Sequence, residues 1–363
     1  MTSRSLPAIL LLVSISAVVG ELRSQGNLTP PGAPAPTMKT LDQVEARTPL
    51  AGGSTAITIS QSGSYFLTGN VTVSSGSAIT ISVGDVRLDL NGFTVSSTSA
   101  VAAGSGIVIS AVTGGIQVCN GFVKSGTTYT TSFSNGPGFL NGISSTLSTG
   151  VYVSDISVSG VAAAGISVGS SSIVERRRVK VSGGNGIDGI TVNDCVVLTA
   201  GSLGINATTV SNCSATVVGP RAIGIYAVAT TNSSGVSDQG AGINRQKTVF
   251  NCYGQSNSGP GITGSNVNGS YGSSSTSQGI NATFANNSIG RSDFNRGISA
   301  IMATSSYGIS FGGSFGVFVS GAATSCYGYS ETGTGLSANI AVGCFGATGS
   351  GIPVSANFKY NMP

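Results

Sequence analysis

Apolar and polar residues alternate along this chain in short runs, and Gly, Asn and Ser separate the runs. Such period-two alternation predicts β-strands, and the separating residues predict tight bends. No segment of the described pattern has the 3.6-residue apolar spacing of an amphipathic helix, and the 55 glycines disfavour helices throughout. The pattern therefore predicts an all-β protein.

Two marks recur about every 19 residues through the C-terminal half, and a fixed period of this size is typical of a solenoid. One is Gly followed by an aliphatic residue, from Gly186-Ile187 to Gly351-Ile352. The other is a small Cys or Ser, at Cys195, Cys213, Ser233, Cys252, Ser270, Ser288, Ser306, Cys326 and Cys344. We predict a single-stranded right-handed parallel β-helix of about 14 coils.

The chain divides into three predicted parts. Residues 1–20 have the basic start, apolar segment and small-residue end of a secretory signal peptide, which predicts a secreted or cell-surface protein with no membrane span after cleavage. Residues 21–55 form a Pro-rich lead-in and an N-terminal cap. Residues 56–363 form the β-helix, interrupted by a long loop at about 124–150 where the coil rhythm lapses.

Charge and composition exclude several functions. Charged residues make up 8% of the chain against a usual figure of about 25%, and the formal net charge of +4 is too small to predict nucleic-acid binding. The sequence contains no histidine, which removes Ser–His–Asp hydrolysis and histidine metal sites. Only 12 acidic residues are present, so few pairs are available for glycoside hydrolysis.

Four strings resemble those of exported bacterial right-handed parallel β-helix proteins, a pectate-lyase-like solenoid family largely without assigned activity. They are Pro36–Pro49, Ser62–Asn70, Asp85–Gly92 and Cys119–Gly121. The resemblance implies the fold and an export route. It does not choose a function, because the same fold carries lyases, hydrolases and phage tailspikes.

Three acidic residues, Asp155, Glu175 and Asp194, are spaced by about one coil and have Arg177 beside them. Stacked carboxylates could hold Ca²⁺ while a nearby base abstracts a proton from an acidic sugar, as a polysaccharide lyase requires. The series continues as Asn212, Asn232 and Asn251, which favours a structural polar ladder at one bend instead. Otherwise the sequence predicts no cofactor.

An aromatic series follows the Cys/Ser mark directly, at Tyr253, Tyr271, Tyr307, Tyr327 and Phe345, with Ile289 between. If the mark faces inward, the alternation of a strand turns these rings outward, about 4.8 Å apart per coil. Such a stripe could bind sugars or a second copy of the chain. With the faces reversed, the rings would be stacked core residues.

The cysteines allow two interpretations. Cys195 and Cys213, like Cys326 and Cys344, lie one coil apart, which is within the range of a disulfide. A ladder of buried free thiols is the alternative, since parallel stacked side chains rarely present the torsion that a disulfide requires.

Three hypotheses for function follow. The leading one is a non-catalytic exported or surface protein that binds polysaccharide, or self-associates, through the aromatic stripe. The alternative is a Ca²⁺-dependent lyase acting on acidic polysaccharide. The third is a purely structural rod.

Overall fold

The computed structural model describes residues 47–134, 136–145, 150–244 and 247–362, and all regular secondary structure in these ranges is β-strand. The predicted signal segment and most of the predicted lead-in, up to residue 46, lie outside the described residues. Within the part that is described, no helix has the length and apolar character needed to cross a membrane.

The strands lie on three faces, which we call faces A, B and C in the order in which each coil visits them. Face A contains Ile57–Ile59, Ile79–Ile81, Ser105–Ile109, Asn141–Ser145, Ile166–Ser167, Ile187–Asp188, Ile243–Asn244, Ile298–Ala300 and Phe315–Val319. Face B contains Thr48–Leu50, Gly63–Leu67, Val86–Asp89, Ile173–Glu175, Thr191–Asn193, Thr248–Phe250, Met302–Thr304 and Ala322–Thr324. Face C contains Val71–Val73, Thr94–Ser97, Arg178–Ser182, Val196–Ala200, Ser214–Val217, Ser234–Ser237, Tyr253–Ser256, Tyr271–Ser274, Ile289–Ser292, Tyr307–Ser310, Tyr327–Ser330 and Phe345–Thr348.

Other strands continue round a bend from one face to the next. Those running from face A into face B are Leu203–Ser211, Ile223–Thr231, Ile262–Asn268, Ile280–Asn286, Thr334–Val342 and Val354–Tyr360. Those running from face B into face C are Ile116–Lys124 and Val151–Val161. One short antiparallel pair, Thr128–Tyr129 with Phe133–Ser134, stands outside the faces.

Strands of successive coils pair in parallel on every face, as Ile262 with Ile280 and Ile280 with Ile298 on face A. The molecule is therefore an all-β parallel solenoid of about 16 turns, which confirms the predicted fold class. The predicted number of coils is too low because two segments excluded from it also supply strands. Thr48–Leu50 pairs with the strand that ends at Leu67, and Asn141–Ser145 pairs on face A. A right-handed coil is the expected hand for parallel crossover connections.

The interior narrows along the solenoid. At one inward position of face C the side chain is valine in Val158, Val179 and Val197, then alanine in Ala215, and glycine from Gly235 onward. The inward position opposite, at the start of face A, is a glycine in each coil from Gly106 to Gly335 that carries the Gly-aliphatic mark. The last predicted mark, Gly351-Ile352, falls two residues before this position, which Pro353 takes. In the N-terminal coils a valine fills the space over that glycine. In the C-terminal coils the backbones of faces A and C approach each other directly, which explains the glycine of the Gly-aliphatic mark.

The predicted loop at 124–150 is only partly outside the solenoid. Asn141–Ser145 is a strand of face A, and Phe139 is fully buried beside it. The antiparallel pair stacks Tyr129 on Phe133 with ring centroids 4.9 Å apart. The excursion is therefore shorter than predicted, and a buried aromatic residue holds its return to the sheet.

Asp89, in one of the strings that carry the family resemblance, stabilises the first coils. Its carboxylate accepts hydrogen bonds from the Asn91 backbone N–H and the Asn120 side-chain amide, at 2.7 and 3.1 Å. Arg47 forms an ion pair with it at 2.8 Å. Asp89 therefore holds together the bend that this string forms.

Candidate functional site

The bend between faces B and C turns on a single residue per coil in the left-handed backbone region. These bend residues have φ between 45° and 60° and are Asn120, Asp155, Arg176, Asp194, Asn212, Asn232, Asn251, Gly269, Asn287, Ser305, Ser325, Gly343 and Asn361. Asn, Asp and Gly tolerate this conformation better than other residues. The left-handed backbone conformation therefore favours the predicted polar ladder of Asp194, Asn212, Asn232 and Asn251. Its side chains also bond along the axis, since Asn251 donates to Asn232 at 2.8 Å.

From Asp194 to Gly343, the residue after each bend residue points inward and forms the Cys/Ser mark. Its Sγ–H or Oγ–H donates to the carbonyl two residues earlier, as Cys213 does to Ser211 at 3.0 Å and Ser233 to Thr231 at 2.7 Å. Its S or O atom also accepts the backbone N–H of the previous coil, as Ser233 does from Cys213 at 3.0 Å. Cys and Ser interchange because both supply one donor and one acceptor here.

All six cysteines are free and buried in the structure. Burial raises the pKa of the Cys252 thiol. The hydrogen bond between Cys195 and Cys213, and then burial, raises the pKa of Cys195, and the same bond lowers the pKa of Cys213. The structure thus agrees with the interpretation that the cysteines are buried free thiols. The hydrogen bonds of the ladder give the five cysteines of the Cys/Ser mark a structural role.

The aromatic series lies outward on face C, one residue beyond the mark. Register pairs Tyr253 with Tyr271, and continues through Ile289 to Tyr307, Tyr327 and Phe345. Tyr253 is 40% exposed and Phe345 48%, so the alternative of a core stack is excluded. The ring centroids of Tyr253 and Tyr271 are 5.5 Å apart with planes 2° from parallel. We call Tyr253, Tyr271, Ile289, Tyr307, Tyr327 and Phe345 the aromatic column.

The C-terminal part of the column is also in mutual contact. Tyr307 and Tyr327 lie 4.7 Å apart and tilted by 47°, and Tyr327 stacks on Phe345 at 5.2 Å. Partial burial raises the pKa of Tyr253 and of Tyr307, so their hydroxyls stay neutral hydrogen-bonding groups through the physiological range. Tyr253 donates to the Gln255 side chain at 2.7 Å.

A shallow groove runs along the bend beside this column. Its volume is about 590 Å³, its floor includes the bend residues Asn212, Asn232 and Asn251, and one wall is formed by Tyr253 and Tyr271. The amide groups on the floor can bond to the hydroxyls of a sugar, and the aromatic side chains of the wall can contact its C–H groups. We call this the bend groove.

The three predicted carboxylates are not brought together as expected. Asp155 and Asp194 are bend residues, but Glu175 lies one residue before the bend, in register with Ser154 and Asn193. Arg176 takes the bend position between them. The prediction that the three acids stack at equivalent positions is therefore wrong, because coils differ in length and the spacing does not fix the register. No group of three metal-binding side chains is found in the described ranges.

Arg176 neutralises two of these acids. Its guanidinium binds both oxygens of Asp155, at 3.0 and 3.1 Å, and contacts Glu175 at 3.2 Å. Glu175 also accepts a hydrogen bond from the Tyr152 hydroxyl at 2.7 Å. The hydrogen bond from Arg176 lowers the pKa of Asp155 below its usual range, so this carboxyl is ionised and unsuited to donate a proton.

Arg177, the predicted weak catalytic candidate, lies at the inward position that Cys195 occupies in the next coil. It is only 2% exposed, and its guanidinium donates to the carbonyls of Val153 and Arg176 at 3.0 and 2.9 Å. One of its NH₂ groups has no hydrogen-bond partner. Burial lowers its pKa to about 10, which still leaves it protonated at neutral pH.

The bend from face C to face A contains a second ladder of hydroxyl groups, which the sequence analysis does not predict. Its members are Ser237, Ser256, Ser274, Ser292, Ser310, Ser330 and Thr348. Each donates to a carbonyl of the preceding coil and accepts a backbone N–H three residues later, as Ser292 does at 2.6 and 2.8 Å. They keep the same period as the Cys/Ser mark, which is the signal that would have identified them.

No protein-family model matches the chain, and no curated protein is significantly similar to it. Two solved structures share a likeness. The tailspike protein gp49 of Acinetobacter baumannii bacteriophage Fri1, a capsular polysaccharide depolymerase, is 11% identical with a TM-score of 0.34, over 85% of this chain and 63% of its own. The Dettilon tailspike protein gp208 is 12% identical with a TM-score of 0.27, over 86% and 60%. The chain thus matches less than two thirds of either protein, and likeness this distant assigns it no activity.

Proposed function

We propose that this protein is a non-catalytic glycan-binding solenoid that holds a polysaccharide strand in the bend groove. The observation that carries the proposal is the aromatic column, whose partly exposed rings lie in register along face C and whose Tyr253 and Tyr271 form one wall of the groove. Regularly spaced rings suit a ligand that is itself a regular repeat, since each sugar can meet the same surface one or more coils further on. An exported or surface location, expected from residues 1–20, suits this role.

The arrangement of the acids supports binding over catalysis. A lyase using Asp155, Glu175 and Asp194 would need them free to hold Ca²⁺, but Arg176 occupies the position between Asp155 and Asp194 and pairs with two of the three carboxylates. Arg177 is buried and bonded to backbone carbonyls, away from any sugar in the groove.

The test is affinity electrophoresis of the purified protein through native gels that each contain one polysaccharide. We expect retarded migration in at least one gel, and loss of the retardation when Tyr253, Tyr271, Tyr307 and Tyr327 are all replaced by Ser. This variant is expected to fold, because serines Ser214 and Ser234 occupy the same position in the coils before Tyr253.

A matched control replaces Phe284 and Phe294 by Ser, which are exposed aromatic residues outside the groove. It should bind as the parent does. Free migration of the parent in every gel, together with an unchanged sedimentation coefficient in the Tyr variant, would contradict the proposal. Dissociation of an oligomer in the Tyr variant without any glycan binding would instead identify the column as a self-association surface. Release of unsaturated sugar ends that stops on chelation would establish the lyase.

A further inference from the structure

We infer that the glycan is anionic, and that Lys124, Arg178 and Lys180 on face C bind its carboxylate or sulfate groups. This inference rests on the proposed function and specifies the substrate class of the same surface. We call these three residues the basic patch.

The basic patch lies on the face that also carries the aromatic column. Lys124 pairs with Ser159, and Ser159 with Lys180, so the two lysines share one outward row about 10 Å apart. Arg178 lies in the neighbouring outward row, two residues before Lys180. All three side chains are exposed, and the ammonium of Lys124 lies 5.8 Å from the ring centre of Phe122, which is also exposed.

The row of Arg178 leads directly to the aromatic column. Successive coils pair Arg178 with Val196, then with Ser214, Ser234 and Tyr253. Four coil steps separate Arg178 from Tyr253, about 19 Å. A polysaccharide strand of a few sugars can therefore contact both, and the side chains between are small enough to let it lie flat on the face.

The charges near the patch leave it positive. Arg176 is paired with Asp155 and Glu175, and Asp194 is the remaining carboxylate lining this part of the bend. No ion pair of Arg178 or Lys180 is found in the ranges that the structure covers. Beneath them lies the buried guanidinium of Arg177, which has an unpartnered NH₂ group. Because solvent screens a buried charge weakly, Arg177 adds to the positive potential outside.

The size of the patch favours an acidic glycan over nucleic acid or an anionic membrane. It covers only three coils, and the row that continues from Arg178 carries Val and Ser before the aromatic column. Arg291, further along the row of Lys180, is paired with Asp293. A polyanion with a charge every few ångströms would need cations along its whole length. A polysaccharide with one acid group per repeat needs a few cations and many neutral contacts.

The experiment compares the parent with an Arg178→Ser/Lys180→Ser variant, using polygalacturonate, hyaluronan and a neutral glucan as probes in affinity gels at low and high salt. Ser already occupies both in-register positions of the preceding coil, Ser157 and Ser159, so the fold is expected to be retained. We expect about tenfold weaker binding of at least one acidic probe and a smaller salt dependence, with binding of the neutral glucan unchanged. A melting curve by circular dichroism checks folding.

The matched control, Arg221→Ser/Lys247→Ser, removes two exposed cations elsewhere and should change binding less than twofold. Three outcomes would overturn the inference. If the neutral glucan binds as tightly as the acidic probes and the patch variant is unchanged, the inference fails and the proposed function stands. If no probe is retarded at all, both fail. Tighter binding of duplex DNA or of phosphatidylserine vesicles than of any glycan would assign the patch to another partner.

Discussion

Replacing Gly272 by Ala should destabilise the solenoid strongly, because two backbones meet at that point. Gly272 faces inward on face C, opposite Gly279 at the start of face A in the next coil. A Cβ at Gly272 would clash with the Gly279 carbonyl oxygen and lie 2.7 Å from Ile280 Cγ1 and 2.9 Å from the Gly279 carbonyl carbon. Real Cβ atoms essentially never come within 3.0 Å of such atoms.

The cost follows from what would have to move. Overpacking a core costs about 1–3 kcal/mol, and here the obstacle is backbone that is hydrogen-bonded in the sheet, so the upper part of that range applies. Alanine restricts the unfolded chain more than glycine does, which offsets about 0.4–1 kcal/mol. The net expectation is a loss of about 2 kcal/mol in the free energy of unfolding.

Urea unfolding followed by far-ultraviolet circular dichroism measures this difference. The matched control is Gly189→Ala, whose Cβ would meet Val174 and Val192 methyls at 3.4 and 3.5 Å, in ordinary contact. Since Gly189 lies outside the left-handed region, the control should be neutral or stabilising by up to about 1 kcal/mol. If the Gly272 variant unfolds at the same urea concentration as the parent, faces A and C are not in contact at this point. The conclusion that the interior narrows toward the C-terminal coils would then be wrong.

Three further predictions test the ladders and the bend. The native protein should react with less than about one equivalent of a thiol reagent at neutral pH and with all six cysteines once unfolded, because all six thiols are buried away from the reagent. Reaction of only four cysteines after unfolding without reductant would indicate a disulfide. Ser292→Ala should lower the free energy of unfolding, measured in urea, by about 1–3 kcal/mol, because it leaves a buried N–H and a buried carbonyl unpaired. Ser292→Thr should lower it less, because Thr348 makes the same two bonds in its own coil. Equal losses in the two variants would contradict the hydrogen-bonding role. The pKa of the Asp155 carboxyl, measured by NMR titration, should lie below 3.8 and should move back toward that value in Arg176→Ala. Since the folded pKa is lowered, any stability that this half-exposed ion pair contributes is present above about pH 4. It is lost as the pH falls through the folded pKa.

The sequence is sufficient for the class of fold and for the position of the repeat in the C-terminal half, because both depend on a period of about 19 residues that recurs there from coil to coil. The Cys/Ser mark and the Gly-aliphatic mark each identify one point of the coil, and both lie inward as a solenoid requires. The number of coils was underestimated because Asn141–Ser145 lies in a segment without the period and still pairs on face A. A few residues that fit the neighbouring strand are enough for pairing on face A, and the Ser-, Thr- and Gly-rich composition of this segment does not identify them.

Register at single-residue precision could not be obtained from spacing. Glu175 and Arg176 are adjacent, and only the position of the left-handed residue decides which of them takes the bend. That position is set by pairing along face B, where Tyr152 is opposite Ile173. Arg is an unusual residue for this conformation, so the sequence favoured the carboxylate, and the lyase hypothesis depended on that choice.

The aromatic column is not needed to form the coil, and this is the strongest reason to assign it to a surface function. The same outward position is Ser157, Arg178, Val196 and Ser214 in earlier coils, and those strands pair in the same parallel register. Stacked rings do add stability, about 0.5–1.5 kcal/mol for each pair. A stabilising role alone would be served equally by rings placed on any outward row. Here the rings occupy one outward row of face C, and at Tyr253 and Tyr271 that row borders the bend groove, where a ligand lying on the Asn floor would reach it.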